Sequence, residues 1–295
     1  MARCFACLTG AAVVATAAPA HAGDMLQLAP SSKWHVNYAD DSCRLARSFG
    51  TGNDQVVLVL DRFRPGQIVH MTLTGRPMTV HSDIRRITLR FGPDDPAFEK
   101  GFTPGTLDDG KAALVLTGGL WIAGYNPALA ADEESEGPRR HQAVDPALYE
   151  RIRFLDLQIP GKQAIRLETG SMASAEKILA ACTDDLLRGW GIDAAAHKSL
   201  SRRVAPVGSP GDWMNRKDYP REMLRGRYQG LVHFRLIVDE QGKPRSCHIQ
   251  QSTRPKEFDD AVCKGMMTRA QFEPALDAAG KPVASYYVNR VRFKI

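Results

Sequence analysis

Beyond residue 22 this sequence has no long apolar run. A membrane-crossing helix needs about 20 consecutive apolar residues, and no later window reaches that, which excludes a polytopic membrane protein. It also lacks a concentration of charge. Lys and Arg number 39 against 33 Asp and Glu, a net +6, with the basic residues scattered along the chain. That pattern predicts no nucleic-acid partner and only a weak preference for acidic ones. No H-E-x-x-H or G-x-S-x-G occurs, and the eight histidines are dispersed. Residues 105–112 approach the phosphate-binding pattern G-x-x-x-x-G-K-[ST], but Ala112 cannot ligate Mg²⁺, Asp108 and Asp109 would repel phosphate, and no apolar strand precedes them. Gly50-Thr51-Gly52-Asn53 lacks the third glycine and the following helix of a dinucleotide site. His70 and His81 can approach each other in a β domain, yet without a third ligand they read as a structural pair. No metal, cofactor or catalytic residue is expected, and no spacing supports a Ser-His-Asp triad.

What is present is ordinary globular material. Hydrophobic residues make up 43% and charged residues 24% of 295, enough chain for two buried cores at roughly 150 residues per domain. Residues 1–22 have the layout of a secretory signal: Arg3, an Ala-rich apolar stretch broken by Pro19, and Ala20-His21-Ala22 before Gly23. The expectation is cleavage after residue 22, a periplasmic location, and no membrane span thereafter. Cleavage removes Cys4 and Cys7 and leaves Cys43, Cys182, Cys247 and Cys263. None of these four has metal-site spacing, and an oxidising compartment favours disulfides. Four thiols pair in three ways, and spacing alone does not choose. A domain boundary near residues 195–215 would favour Cys43 with Cys182 and Cys247 with Cys263, contributing about 3 kcal/mol for the short loop and nearer 5 for the long one.

The expected fold class is α+β in two units. Over residues 24–195, short apolar segments at 56–60, 68–73, 87–91, 112–116, 120–123, 152–159 and 164–167 alternate with turn signals, among them Arg64-Pro65-Gly66 and Thr103-Pro104-Gly105. This predicts a mostly-β domain. The acidic stretch 132–136 reads as a solvated loop. Ser171 or Ser174 can cap a closing helix with Ile178, Leu179, Cys182, Leu186 and Leu187 at helical spacing, stopped by Gly189-Trp190-Gly191. Residues 196–211 are polar and turn-rich, a linker.

Residues 212–295 predict a small α+β domain. A short helix over 221–227 leads into a strand in which Val232, Phe234, Leu236 and Val238 alternate with Leu231, His233, Arg235 and Ile237. Asp239-Glu240-Gln241-Gly242 is a hairpin turn. The return strand puts Cys247 and Ile249 on one face and Ser246, His248 and Gln250 on the other. A helix over 256–270 carries Phe258, Val262 and Met266. The last strand turns Tyr287, Val291 and Phe293 one way and Tyr286, Val288, Arg290, Arg292 and Lys294 the other. The result is a three-stranded antiparallel sheet with helices on one face. On its opposite face this parity gathers His233, Arg235, His248, Tyr286, Arg290, Arg292 and Lys294. That basic face is either solvated or a site for an acidic peptide, a lipid phosphate or the other domain.

These residues resemble the C-terminal domain of the TonB family. The matching string runs from Tyr219-Pro220 through residues 229–239, Gly242, residues 247–253, Phe258-Asp259, Arg269, Phe272-Glu273-Pro274-Ala275, Gly280-Lys281-Pro282-Val283 and Arg292-Phe293. Cys247 and Cys263 resemble a subgroup whose hairpin is bridged to the helix. Pro244 departs from the pattern, fitting only a strand start or edge; Arg254 replaces a usual Gly, and the Pro-rich arm of the energy transducer is missing. The resemblance implies β-augmentation, in which the last strand, here Tyr286, Val288, Arg290, Arg292 and Lys294, receives a protein segment, in the family that of an outer-membrane receptor, during transport across the outer membrane. Two readings follow: a non-catalytic periplasmic interaction protein, or an envelope hydrolase with its site in residues 24–195 and the C-terminal domain as localiser. Strand edges also pair between copies, so the oligomeric state stays open.

Overall fold

Alternation of apolar and polar side chains along short strands builds the first unit. A computed structural model describes residues 25–81, 83–124, 145–253 and 255–295. The expected signal over 1–22, the acidic stretch 132–136 and Arg254 lie outside the described residues. Eleven strands form one sheet: β1 (Leu26–Leu28), β2 (His35–Tyr38), β3 (Cys43–Phe49), β4 (Val56–Arg62), β5 (Ile68–Thr74), β6 (Arg86–Phe91), β7 (Phe98–Thr106), β8 (Ala112–Leu116), β9 (Leu120–Trp121), β10 (Leu155–Gln158) and β11 (Ile165–Leu167). Their order is β1-β11-β10-β6-β7-β8-β5-β4-β3-β2, with β9 beside β5. The apolar segments read from the sequence correspond to β4, β5, β6, β8, β9, β10 and β11.

The two ends of that sheet are tied by one short stretch. β1 pairs with β11 in parallel, and two residues later Pro30 bridges to Phe49 of β3 while Ser31 donates to the Ser48 carbonyl at 2.8 Å. Residues 26–31 therefore draw the sheet around one core, leaving less unpaired edge. Helix α1 (Pro146–Arg151) precedes β10. The expected closing helix is α2 (Ala173–Gly189), whose Ala175, Leu179, Cys182 and Leu186 join that core. Cys182 is bridged to Cys43 of β3.

Thr103-Pro104-Gly105 is not the turn that its composition suggests but the second half of β7. The strand pairs with β6 only as far as Gly101 and continues alone beside β8 from Phe102 to Thr106. Pro104 sits where one neighbour has already ended, so its missing N–H costs no ladder bond. The near-match to a phosphate loop at 105–112 is the β7–β8 hairpin, closed by Leu107 N–H to the Lys111 carbonyl at 2.9 Å.

The second unit has the expected order. Helix α3 (Ala194–Lys198) and β12 (Ala205–Pro206) precede α4 (Arg221–Arg225), β13 (Gly230–Val238), β14 (Pro244–Ser252), α5 (Lys256–Arg269), β15 (Phe272–Glu273), β16 (Ala275–Leu276), β17 (Pro282–Val283) and β18 (Ser285–Phe293). The main sheet is antiparallel in the order β14-β13-β18. Against one face pack Phe258, Val262 and Met266 of α5 with Val232, Phe234, Leu236, Tyr287 and Phe293. Cys247 of β14 is bonded to Cys263 of α5. Pro244 opens β14, an outer strand, as its chemistry requires. At the hairpin Gly242 adopts φ +77°, and a Cβ there would fall 1.9 Å from the Phe272 carbonyl oxygen, so no other residue fits. The stretch 196–211, expected as the linker, is ordered against this unit: β12 pairs with β15, and Arg202 bridges to Leu276.

One polar pair lies inside the first unit. Arg62 is fully buried and donates from both terminal nitrogens to Glu176 of α2, at 3.0 and 2.7 Å. Removing one partner leaves a buried charge without its counter-ion. Glu176→Ala is expected to lower unfolding free energy by about 3 kcal/mol, read as the urea midpoint under oxidising conditions; a change near zero would show that Arg62 finds water instead.

Candidate interaction site

Parity along β13 and β18 sends alternate side chains to the face opposite α5, and there the sheet meets the first unit. Arg235 is 3% exposed, donates to Asp41 at 2.5 Å, and lies 4.0 Å from the centre of the Trp190 ring. Burial works against its charge, while Asp41 favours it. Gln250 of β14 donates to the carbonyls of Asp41 and Phe63, at 2.7 and 3.0 Å. Trp190 donates its indole N–H to the Asp40 carbonyl at 3.0 Å and meets Tyr286 edge-on. Tyr286 also stacks on His197, whose ring nitrogen is 3.1 Å from Ser285 Oγ. An apolar cluster fills the middle: Phe63, Leu187 and Ile192 of the first unit with Ala194 of α3 and Tyr286 and Val288 of β18.

Two histidines meet in this seam. The His233 ring lies 4.8 Å from that of His70 and 5.2 Å from that of Phe63. Burial pushes the His233 imidazole down to about 3, with Arg290 adding to the effect. Burial likewise holds His70 well below its ordinary range, reinforced by the positive neighbours His233, Arg290, Arg64 and Lys100. His81, expected as the companion of His70, is exposed; the partner of His70 comes from the other domain.

The residues singled out from the sequence thus divide. His233 and Arg235, and Tyr286 and Val288 at 6% and 5% exposure, face the first unit and are covered by it. The first unit thus covers the part of the basic face that carries His233 and Arg235. His248 is exposed beside Ser246, at 3.2 Å. Arg290 is half-buried in the seam, Arg292 is exposed, and Lys294 is exposed just past the strand's end at Phe293. β18 pairs with β13 along one side, from Ser285 to Phe293, and among the described strands no other partner lies along its second side. An unpaired strand rim is a template for another extended chain. Asp41, Phe63, Trp190 and His197 escaped the sequence reading, because each lies in a loop, a strand end or a short helix whose pattern carries no sign of a distant partner.

No group of three or more His, Cys, Asp or Glu side chains among the described residues can hold a metal ion. No helix among them is long and apolar enough to cross a membrane. Residues 215–295 match the family described as Gram-negative bacterial TonB protein C-terminal. Among curated proteins, none matches the chain.

The two imidazoles that meet in the seam make it sensitive to acid. An exposed histidine takes its proton near pH 6.5, whereas these two resist it while the domains are packed. Stability is therefore fully present above pH 6.5 and falls as the pH drops toward 3, at up to ~1.4 kcal/mol per pH unit for each ring. The denaturant midpoint is expected to fall between pH 7.5 and pH 5 by more in the natural chain than in a His70→Gln, His233→Gln double variant. Equal slopes would remove the histidines from the account.

Proposed function

We propose, from the membership of residues 215–295 in the TonB C-terminal family, that this envelope protein is a periplasmic, non-catalytic interaction module that captures an extended segment of another protein. The observation carrying the reading is the outer edge of β18 (Ser285–Phe293), along which no other strand lies among the described residues. At about 3.3 Å per residue that rim is roughly 30 Å long, room for a guest strand whose main-chain groups complete a fourth ladder. The family supplies the class of guest, a segment of an outer-membrane protein, and with it an association with transport across that membrane. The two disulfides agree with an oxidising compartment reached through a cleaved leader.

The first domain has a defined part in this reading. By covering the sheet face that carries His233, Arg235, Tyr286 and Val288 it removes that face from competition and leaves the rim as the place where a partner adds. It also holds the rim in one orientation through Asp41, Trp190 and Gln250. A rigid receiving strand loses less freedom on binding than a mobile one.

Photo-crosslinking in cells tests this directly. A photoreactive residue in place of Arg292 or Lys294, beside the rim, is expected to yield adducts with outer-membrane protein. The same residue in place of Arg245 or His248, on the opposite outer strand, is expected to yield few. Adducts confined to β14, or to the surface of the first domain, would overturn capture at β18.

A further inference from the structure

The short helix α4 ends in a turn whose chemistry ordinarily selects glycine. Arg227 N–H donates to the Leu224 carbonyl at 3.2 Å and Tyr228 N–H to the Met223 carbonyl at 2.9 Å, the paired bonds of a left-handed helix cap. The residue at the turn must take positive φ. Arg227 does so at +55°, alone among the described residues other than glycine. A side chain is strained in that conformation, so an exposed arginine kept there points to a use for its charge.

The sheet gathers further cations at the same corner. Gly230 pairs with Phe293 and Leu231 with Arg292, so the chain enters β13 through Arg227 and Tyr228 at the end where it leaves β18 through Lys294. Arg221, Arg225, Arg227, Arg292 and Lys294 are all exposed, and among the described residues none of the five forms an ion pair. Over residues 219–230 the only carboxylate is Glu222. Apolar surface lies among these charges: Leu224 is 49% exposed, Tyr228 56%, and Ile295, beyond the end of β18, 48%. The corner is firmly held. Its Met223 is buried, and the Tyr228 carbonyl accepts from the Tyr219 hydroxyl, whose ring packs edge-on against Phe258 and Phe293 of the core. The Tyr228 ring lies back over Gly226, where a Cβ would fall 2.4 Å from it.

Two kinds of side chain with opposite solvent preference share this corner, and one kind of surface suits both. An acidic peptide would neutralise the cations but leave Leu224 and Tyr228 to be covered separately. A leaflet of anionic phospholipid offers phosphate and hydrocarbon at adjacent depths. Guanidinium groups bind phosphate oxygens in pairs, Tyr settles where its ring is apolar and its hydroxyl wet, and Leu enters the acyl boundary. We infer that the corner formed by α4, Arg227, Tyr228 and the end of β18 is a peripheral docking site for an anionic phospholipid surface, with Arg225 and Arg227 on the headgroup phosphates and Leu224 and Tyr228 below them. The inference needs the envelope location proposed above but not strand capture, and its failure would leave strand capture standing.

Vesicle flotation tests this, using the disulfide-bonded protein without residues 1–22 so that no apolar leader contributes. Vesicles of phosphatidylcholine mixed with phosphatidylglycerol are expected to carry the protein up the gradient, and vesicles of phosphatidylcholine alone to leave it behind. Raising NaCl from about 0.05 M to about 0.5 M is expected to release most of it. An Arg225→Gln, Arg227→Gln double variant is expected to bind roughly thirtyfold more weakly, and a Leu224→Ser, Tyr228→Ser variant about tenfold. Arg227→Gly separates the charge from the fold: binding is expected to weaken about fivefold while the melting temperature rises, because glycine relieves the positive φ. No binding to either vesicle, equal binding to both, or unchanged binding in the arginine double variant would each overturn the proposal. Self-association that Leu224→Ser abolishes, without lipid binding, would overturn it too and make the corner a contact between copies.

Discussion

Arg235 in its seam is the constraint from which the arrangement follows. A guanidinium at 3% exposure is tolerable only because Asp41 pairs with it and Trp190 covers it, and both belong to the other domain. A separated C-terminal sheet would expose that charge together with Tyr286 and Val288, and a separated N-terminal domain would expose Phe63, Leu187 and Ile192. The two units thus complete each other's surfaces. The histidine pair adds a condition, because burial in the seam favours neutral imidazoles.

The C-terminal sheet is divided between a face covered by the first unit and an outer edge along which no other described strand lies. Side chains carry specificity and main chain carries general affinity when a strand is added. Here four of the nine β18 side chains are already committed: Tyr287 and Phe293 to the core under α5, Tyr286 and Val288 to the first domain.

Much of the second unit was legible in its residues, because its signals are local. Alternation from Leu231 to Val238, the Asp-Glu-Gln-Gly turn and the helical spacing of Phe258, Val262 and Met266 each specify structure within a few residues. The strand parity of β18 also placed Tyr286 and Val288 opposite Tyr287 and Phe293. In the first unit, β4 and β5 were readable for the same reason. β7 was not: Thr103-Pro104-Gly105 has turn chemistry, and only the early end of β6 makes that chemistry harmless in a strand. The seam lay beyond local reading altogether. Asp41 and Arg235 are separated by most of the chain, and His70 had an equally plausible neighbour in His81 until the topology chose His233.

Both sulfur bridges tie a sheet strand to a helix inside a single unit, Cys43 to Cys182 and Cys247 to Cys263, and neither crosses the seam. Under tension between the ends of the chain, a pulling force therefore passes from residue 43 to residue 182 through sulfur, and the 139-residue separation between them adds nothing to the slack the molecule can pay out. A load hung on β18 would be borne by its ladder with β13 and by the seam, neither of which a sulfur bridge crosses.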